Sequence, residues 1–322
     1  MHKNTMSMST VMKFSRVLIL LLLFAFFSLT SKTFCSMSNI KNIVSQQVPF
    51  LMVLSIGMTV AIILKGIDLS IGSVLALSSC VAALILQSTG NIFYCIASGL
   101  TVGIVCGLIN GIMIAEIGVS AYIATYTMQW IAKGIAYVLL GGGQVFNLDP
   151  NFRNIFIGWS YMLLAIALGV ALIMLFVMNM TTFGRNVYVI GNNPKAAKLA
   201  GVNVTRVYVV CYTIIGFLAS LTGLMYIANL NAAEPVIGDN FPIKAIAASL
   251  IGGASFGGGK GNIYNSIIGA FIMITLTNGL LQLGVSSYWQ QAAIGFVIVL
   301  SIIFERFLKR FDVTDKKAVK AN

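Results

Sequence analysis

The sequence is poor in charge. Only 9% of its 322 residues are charged, and 8 of them are acidic. A soluble globular chain carries roughly 25% charged residues. With 58% hydrophobic residues and a mean hydropathy of +0.95, a soluble fold of this length is excluded. Histidine is nearly absent, with His2 alone near the N-terminus. The five cysteines (Cys35, Cys80, Cys95, Cys106 and Cys211) stand singly in apolar sequence. None has metal-ligand spacing, so metal-centred catalysis has no ligand set and no cofactor is expected. The cysteines read as small buried hydrophobes. The chain is expected to be non-catalytic.

What is present is long apolar runs. A helix needs about 20 mainly apolar residues to cross a bilayer. The runs do not alternate apolar and polar residues, so they are helices rather than barrel strands. Ten spans are expected, at about 17–36, 48–65, 71–88, 92–115, 119–140, 156–179, 207–229, 243–256, 263–283 and 286–305. The spans at 71–88 and 243–256 are short and glycine-flanked, as broken or partly crossing helices are. The net charge of +12 sits at the ends of apolar runs, as membrane orientation requires, and does not indicate nucleic acid. Lys3, Lys13 and Arg16 precede the first run, and no small-residue cleavage site follows, so an uncleaved first helix is expected. The positive-inside rule puts the N-terminus, the segment 180–206 and the basic tail 306–322 in the cytoplasm. Lys32 and Lys41 fall outside, against the rule.

Two stretches echo each other. LINGIMIAEIGVSAY (108–122) and LTNGLLQLGVSSY (276–288) share Leu-x-Asn-Gly followed by Gly-Val-Ser-x-Tyr. They lie five spans apart, and an odd offset reverses direction through the bilayer. The expected fold class is therefore an all-α integral membrane protein. It forms one permease-like domain of two inverted five-helix halves, about 17–140 and 156–305, around a pathway at their interface.

Polar groups inside apolar helices need a reason. Asp68, in KGIDLS, either caps the next helix or lines a pathway. Lys133 lies within the fifth span. Asn110 and Asn278 hold the echoed positions, as interhelical glue or as pathway lining. Gln129 and Gln290, beside Trp130 and Trp289, offer hydrogen bonds and a stacking face to a sugar, or mark interfacial anchoring. The stretch GGASFGGGKGN (252–262) is not a phosphate loop. Ala254 stands where a glycine is required, and Gly261 follows Lys260 in place of Ser or Thr. Its glycines suit a tight helical hairpin.

GNNPKAAKLAG (191–201) is built as a short helix. Asn193 is a good N-cap, Pro194 suits the first helical position and Gly201 suits a left-handed C-terminal cap. A helix over 194–200 is too short to stand alone in water. It is expected to dock into a partner through the small face of Ala196, Ala197 and Ala200, or to rest on lipid headgroups.

GMTVAIILKGIDLSIGSVLAL (57–77), GLINGIMIAEIGVSAYIAT (107–125), TTFGRNVYVIGNNPKAAKLAGV (181–202), NAAEP (231–235), IGGASFGGGKGNI (251–263) and NGLLQLGVSSYWQ (278–290) together resemble the permease subunits of bacterial sugar ATP-binding cassette importers. These are the ribose, arabinose, xylose and allose group, related to the branched-chain amino acid permeases. TYTMQW (125–130) departs from the family's usual run there. The resemblance implies a multi-pass protein of the bacterial inner membrane. It implies a cytoplasmic ATP-binding cassette ATPase, an extracytoplasmic sugar-binding protein and a second permease copy, identical or sister, as partners. It makes 180–206 the coupling loop, with Gly184, Arg185, Asn186, Gly191, Asn192, Asn193, Pro194, Ala196, Ala197, Leu199, Ala200 and Gly201 at the ATPase. The sugar itself is not readable. An ion-coupled secondary transporter is the alternative, and Asp68 is the acid it would use as a relay.

Overall fold

A computed structural model describes residues 8–320, with side chains from 16 to 303. His2 and Lys3 lie outside the described residues, as do the side chains of Lys13 and of the basic tail from Arg306 onward. The chain is a helical bundle. Its helices are α1 Met8–Thr30, α2 Met37–Asn42, α3 Val48–Ile63, α4 Ile71–Thr89, α5 Ile92–Ala115, α6 Ala121–Leu140, α7 Pro150–Ile157, α8 Met162–Met180, α9 Thr182–Asn192, α10 Pro194–Leu199, α11 Val204–Leu230, α12 Phe241–Ile251, α13 Ile263–Gln282 and α14 Ser287–Lys320. A π-helical turn over Ile43–Gln47 joins α2 to α3, so the helix runs on from residue 37 rather than starting near 48. A short antiparallel pair, β1 Val145–Phe146 and β2 Ala232–Ala233, ties the loops at one end.

Among the described residues, six helices are long and apolar enough to cross a membrane by length and composition, and three shorter apolar helices accompany them. This is an all-α membrane protein. α3 occupies the centre. Every one of its residues is buried, against α8, α11, α12 and α13. A helix that is apolar on all sides belongs inside a bundle or a membrane, and here it is enclosed by protein.

The packing has a repeated plan. α4, α5 and α6 pack on one another, and so do α12, α13 and α14. Between these trios the partners cross over: α3 packs on α12 and α13, while α11 packs on α4 and α5. Sequence explains how tightly α11 seats. Gly99, Gly103, Gly107 and Gly111 fall at intervals of four along α5. A Cβ on Gly103, Gly107 or Gly111 would strike the backbone or Ser220 of α11. Small residues at that spacing let helices approach to backbone contact, the main source of association in lipid.

Two connections turn back into the bundle. The residues after α3 lead to α4, and those after α11 lead to α12. They meet where Gly72 and Gly238 touch through backbone atoms, each too close for a side chain on the other. Nearby, Lys133 pairs with Asp239 at 2.7 Å. Lys133 lies about 18 Å along α6 from its start, so this junction stands part-way along the bundle, with Asp239 at its surface. α12 starts inside and covers about 16 Å, roughly half of a hydrocarbon core. That accounts for the shortness of the span expected at 243–256. The span expected at 71–88 forms the full-length helix α4. The cysteines are buried, as expected, except Cys35, which is exposed in the α1–α2 turn. That turn has too little apolar cover to enclose it.

Candidate functional site

The segment expected to couple to an ATPase, 180–206, forms two short helices before the start of α11. Thr181 caps α9, accepting from the Gly184 N–H at 3.2 Å. The side of α9 carrying Gly184, Val187, Ile190 and Gly191 is buried. Arg185 is exposed and Asn186 half-buried. The Tyr188 hydroxyl donates to the Gly261 carbonyl at 3.0 Å, and burial raises its pKa above the usual phenol value. Asn193 then caps α10, its Oδ1 accepting from Lys195 and Ala196 N–H, both at 3.1 Å. Gly201 takes a φ of 82°, and Val202 N–H closes the end on the Ala197 carbonyl at 3.0 Å. Each cap read from the sequence is formed.

One detail of that reading is corrected. Ala197 does not belong to an outward face. It is fully buried against its own chain, as the residue of this two-turn helix that faces inward. Pro194, Ala196 and Ala200 are exposed, and Leu199 projects with 91% of its surface free. The apolar knob of α10 is Leu199.

The base of α10 is anchored to the end of α3 and to the α12–α13 turn. Lys65 Nζ donates to the Asn192 carbonyl at 3.1 Å. Lys65 itself sits at φ 62°, uncommon for a residue with a side chain. Gly191 packs so closely on the Ile63 carbonyl and Gly259 that a Cβ would collide with both. Gly259 N–H donates to the Ile63 carbonyl at 2.8 Å, and the Tyr208 hydroxyl donates to Leu64 at 3.0 Å. The glycine-rich stretch 252–262 is therefore the α12–α13 turn, packed against the coupling segment and the end of α3.

From Lys65 the chain enters the bundle. Asp68 Oδ1 accepts from Ser70 N–H at 2.8 Å and from Ser70 Oγ at 2.6 Å. Asn110 Nδ2 donates to Ser70 Oγ at 2.9 Å. Thr125 Oγ1 accepts from Leu69 N–H at 3.2 Å. Asp68 thus sits at the start of α4, where a carboxylate is favoured by free N–H groups and by the helix dipole. This cluster holds two buried polar atoms without a partner, Asn110 Oδ1 and the Tyr212 hydroxyl.

The residues expected along a pathway do not form one site. Asp68 and Asn110 come together. Asn278 lies elsewhere, exchanging amide hydrogen bonds with Asn39 at 2.9 and 3.2 Å, with Gln282 Nε2 donating to Asn39 Oδ1 at 2.9 Å. It fastens α13 to α2. Gln129 is half-buried on α6, one turn before Lys133. Gln290 lines a separate cleft of about 130 Å³ with Asn240, Ile243, Lys244, Ser287, Gln291 and Ile294. Sequence reasoning missed Asn39, Tyr212 and Lys244. Lys244 had a signal, as the lone charge in the expected span 243–256. Among the described residues, no group of three or more His, Cys, Asp or Glu could hold a metal ion.

Comparison with known proteins agrees with this architecture. The family model for branched-chain amino acid transport system / permease component matches residues 39–302. The ribose import permease protein RbsC of Escherichia coli (strain K12) is 35% identical over 92% of this chain and 94% of its own length. Its namesake in Bacillus subtilis (strain 168) is 36% identical over 87% and 88%. The D-allose transport system permease protein AlsC of Escherichia coli (strain K12) is 34% identical over 92% and 93%. No solved structure matches the chain. Coverage from α2 to the middle of α14, at this identity, leaves one assignment: the chain belongs to the branched-chain amino acid transport system / permease component family.

Proposed function

We propose that this chain is the permease subunit of an ATP-driven importer whose cargo is a monosaccharide, the class its relatives are named for. α10 docks on a separate ATP-binding cassette ATPase. An extracytoplasmic binding protein delivers the sugar at the opposite end, and a second permease copy completes the pathway. Both termini then lie on the ATPase side of a bacterial inner membrane. The two five-helix halves are related by inversion, a reading supported by the crossed packing of α3 and α11.

The observation that carries this reading is the construction of α10. It is capped at both ends, it presents an exposed leucine, and its base is fastened to the end of α3 and packed on the α12–α13 turn, while Tyr208 of α11 bonds that same end of α3. A push on Leu199 therefore reaches the residues that lead to both inward-turning connections. A nucleotide can drive transport only by favouring one conformation of the complex over the other, and such a linkage supplies the route. Asp68 is engaged with Ser70 at the head of α4, so the ion-coupled alternative gains no support from it.

The test is reconstitution of this chain with its genomically adjacent ATPase and binding protein in proteoliposomes. ATP-dependent accumulation of a labelled monosaccharide from a panel of neutral and acidic sugars is expected, with none when the ATPase is omitted. Accumulation driven by a proton or sodium gradient without ATP would overturn the proposal.

A further inference from the structure

The cleft between the first turns of α12 and α14 has an unusual electrostatic character. Lys244 is half-buried in its wall, on the first turn of a helix that begins inside the bundle. Three physical terms oppose a cation there. Burial in a membrane protein removes hydration. The positive end of the α12 dipole repels it. No acid offsets the charge, since the one ion pair among the described residues is Lys133 with Asp239. Asp239 adjoins Asn240 of the cleft, yet its carboxylate is engaged by Lys133 at both oxygens, at 2.9 and 2.7 Å. The rest of the polar lining is uncharged: Asn240, Ser287, Gln290 and Gln291. Gln290 donates its amide to the Val285 carbonyl at 2.9 Å, which leaves its oxygen as a fixed acceptor.

Position matters as much as charge. α13 rises from the 252–262 turn, which packs on the coupling segment, and its 20 residues span about 30 Å. The first turn of α14 therefore lies at the end of the bundle away from α10. In the importer proposed above, this is the side from which cargo arrives. An uncompensated cation in a polar-lined cleft attracts anions. Hydroxyl groups can accept from an ammonium but cannot neutralise it.

We propose that this cleft is a substrate site for an acidic monosaccharide, with Lys244 pairing to the sugar's carboxylate and Asn240, Ser287, Gln290 and Gln291 meeting its hydroxyls. The volume of about 130 Å³ is several times the roughly 10–15 Å³ that a single water needs on this measure. That accommodates the carboxylate edge of a sugar, with the remainder of the ring lying in the open mouth. The proposal rests on the monosaccharide reading and narrows it, because the relatives are named for the neutral sugars ribose, allose and galactose.

The test uses the intact permease–ATPase complex in lipid nanodiscs, with D-galacturonate and D-galactose as matched probes at equal ionic strength. Binding is read from the ligand-induced rise in melting temperature, which follows ligand concentration over dissociation constant. Galacturonate is expected to bind about tenfold more tightly than galactose, the scale of one charge-assisted hydrogen bond. Lys244→Met should abolish the difference and Lys244→Arg should retain it. Both variants should keep the ATPase association of the parent; Lys244→Arg should keep its unliganded melting temperature, and Lys244→Met, which removes an opposed charge, should keep or raise it. Equal binding of the two sugars, or a preference for the acid that survives Lys244→Met, overturns the acidic-sugar site. No response to either sugar overturns the site as well; loss of the monosaccharide reading shows separately, as no ATP-dependent uptake of any sugar in the proteoliposome assay.

Discussion

Leu199 gives the sharpest prediction. It projects from α10 with 91% of its surface exposed, so nearly all its side-chain area is available to a partner. Leu199→Ala removes three carbon groups, worth about 0.8 kcal/mol each when fully buried. The expected loss is about 2.4 kcal/mol of association with the ATPase, or about 50-fold in dissociation constant at 1.4 kcal/mol per tenfold. Folding should be unaffected within about 0.5 kcal/mol, as at ordinary exposed sites. Ala197→Leu supplies the contrast. Ala197 is fully buried, so added methylenes overpack the contact and cost about 1–3 kcal/mol of stability. The assay is paired: affinity of purified permease for the ATPase by surface binding, and melting temperature of the permease alone. Leu199→Ala should move the first and spare the second, whereas Ala197→Leu should lower the second. An unchanged affinity for Leu199→Ala would refute the view that α10 seats by this knob.

Three further outcomes follow from the interior. Thr59→Val removes a hydroxyl within reach of both Ser249 at 3.0 Å and Ser266 at 2.5 Å; denaturant titration in mixed micelles should show a loss of about 0.6–1.7 kcal/mol, the range for hydrogen bonds between membrane helices. Asp239→Asn should slow transport by freeing Lys133, and the charge swap Lys133→Asp with Asp239→Lys should restore part of it in an uptake assay; no recovery would mean that the pair does more than neutralise charge. Gly72→Val places a side chain against the Gly238 backbone, so the yield of folded protein by size-exclusion chromatography should collapse, while Gly169→Ala, in open space on α8, should not change it.

The parts legible in the sequence are those governed by local rules. Apolar length gives the membrane helices, because each residue's rise is fixed and the bilayer is a fixed thickness. The α10 caps are legible because Asn193, Pro194 and Gly201 each suit one backbone position. The direction of a two-turn helix face is not. Ala197 and Leu199 are both apolar, and which of them points inward is decided by whether the neighbouring α9 and α11 leave room for a methyl group or an isobutyl group. The same limit explains Asn110 and Asn278. They occupy matching positions of an internal echo, so sequence treats them alike. Tertiary packing separates them: Asn110 meets the Ser70 hydroxyl at the head of α4, while Asn278 meets the amide of Asn39, which the unforeseen extension of α3 back to residue 37 brings alongside. An internal repeat therefore specifies equivalent places in a fold but not equivalent neighbours. A transporter can use that freedom, because two halves of matched geometry with unmatched polar contacts have no reason to open both ends alike. The Asp68 cluster is tied to Thr125 of α6. The cleft at Lys244 beside α14 is left open. The asymmetry lies in side chains, and in the importer proposed above it would let the two ends of the bundle respond differently.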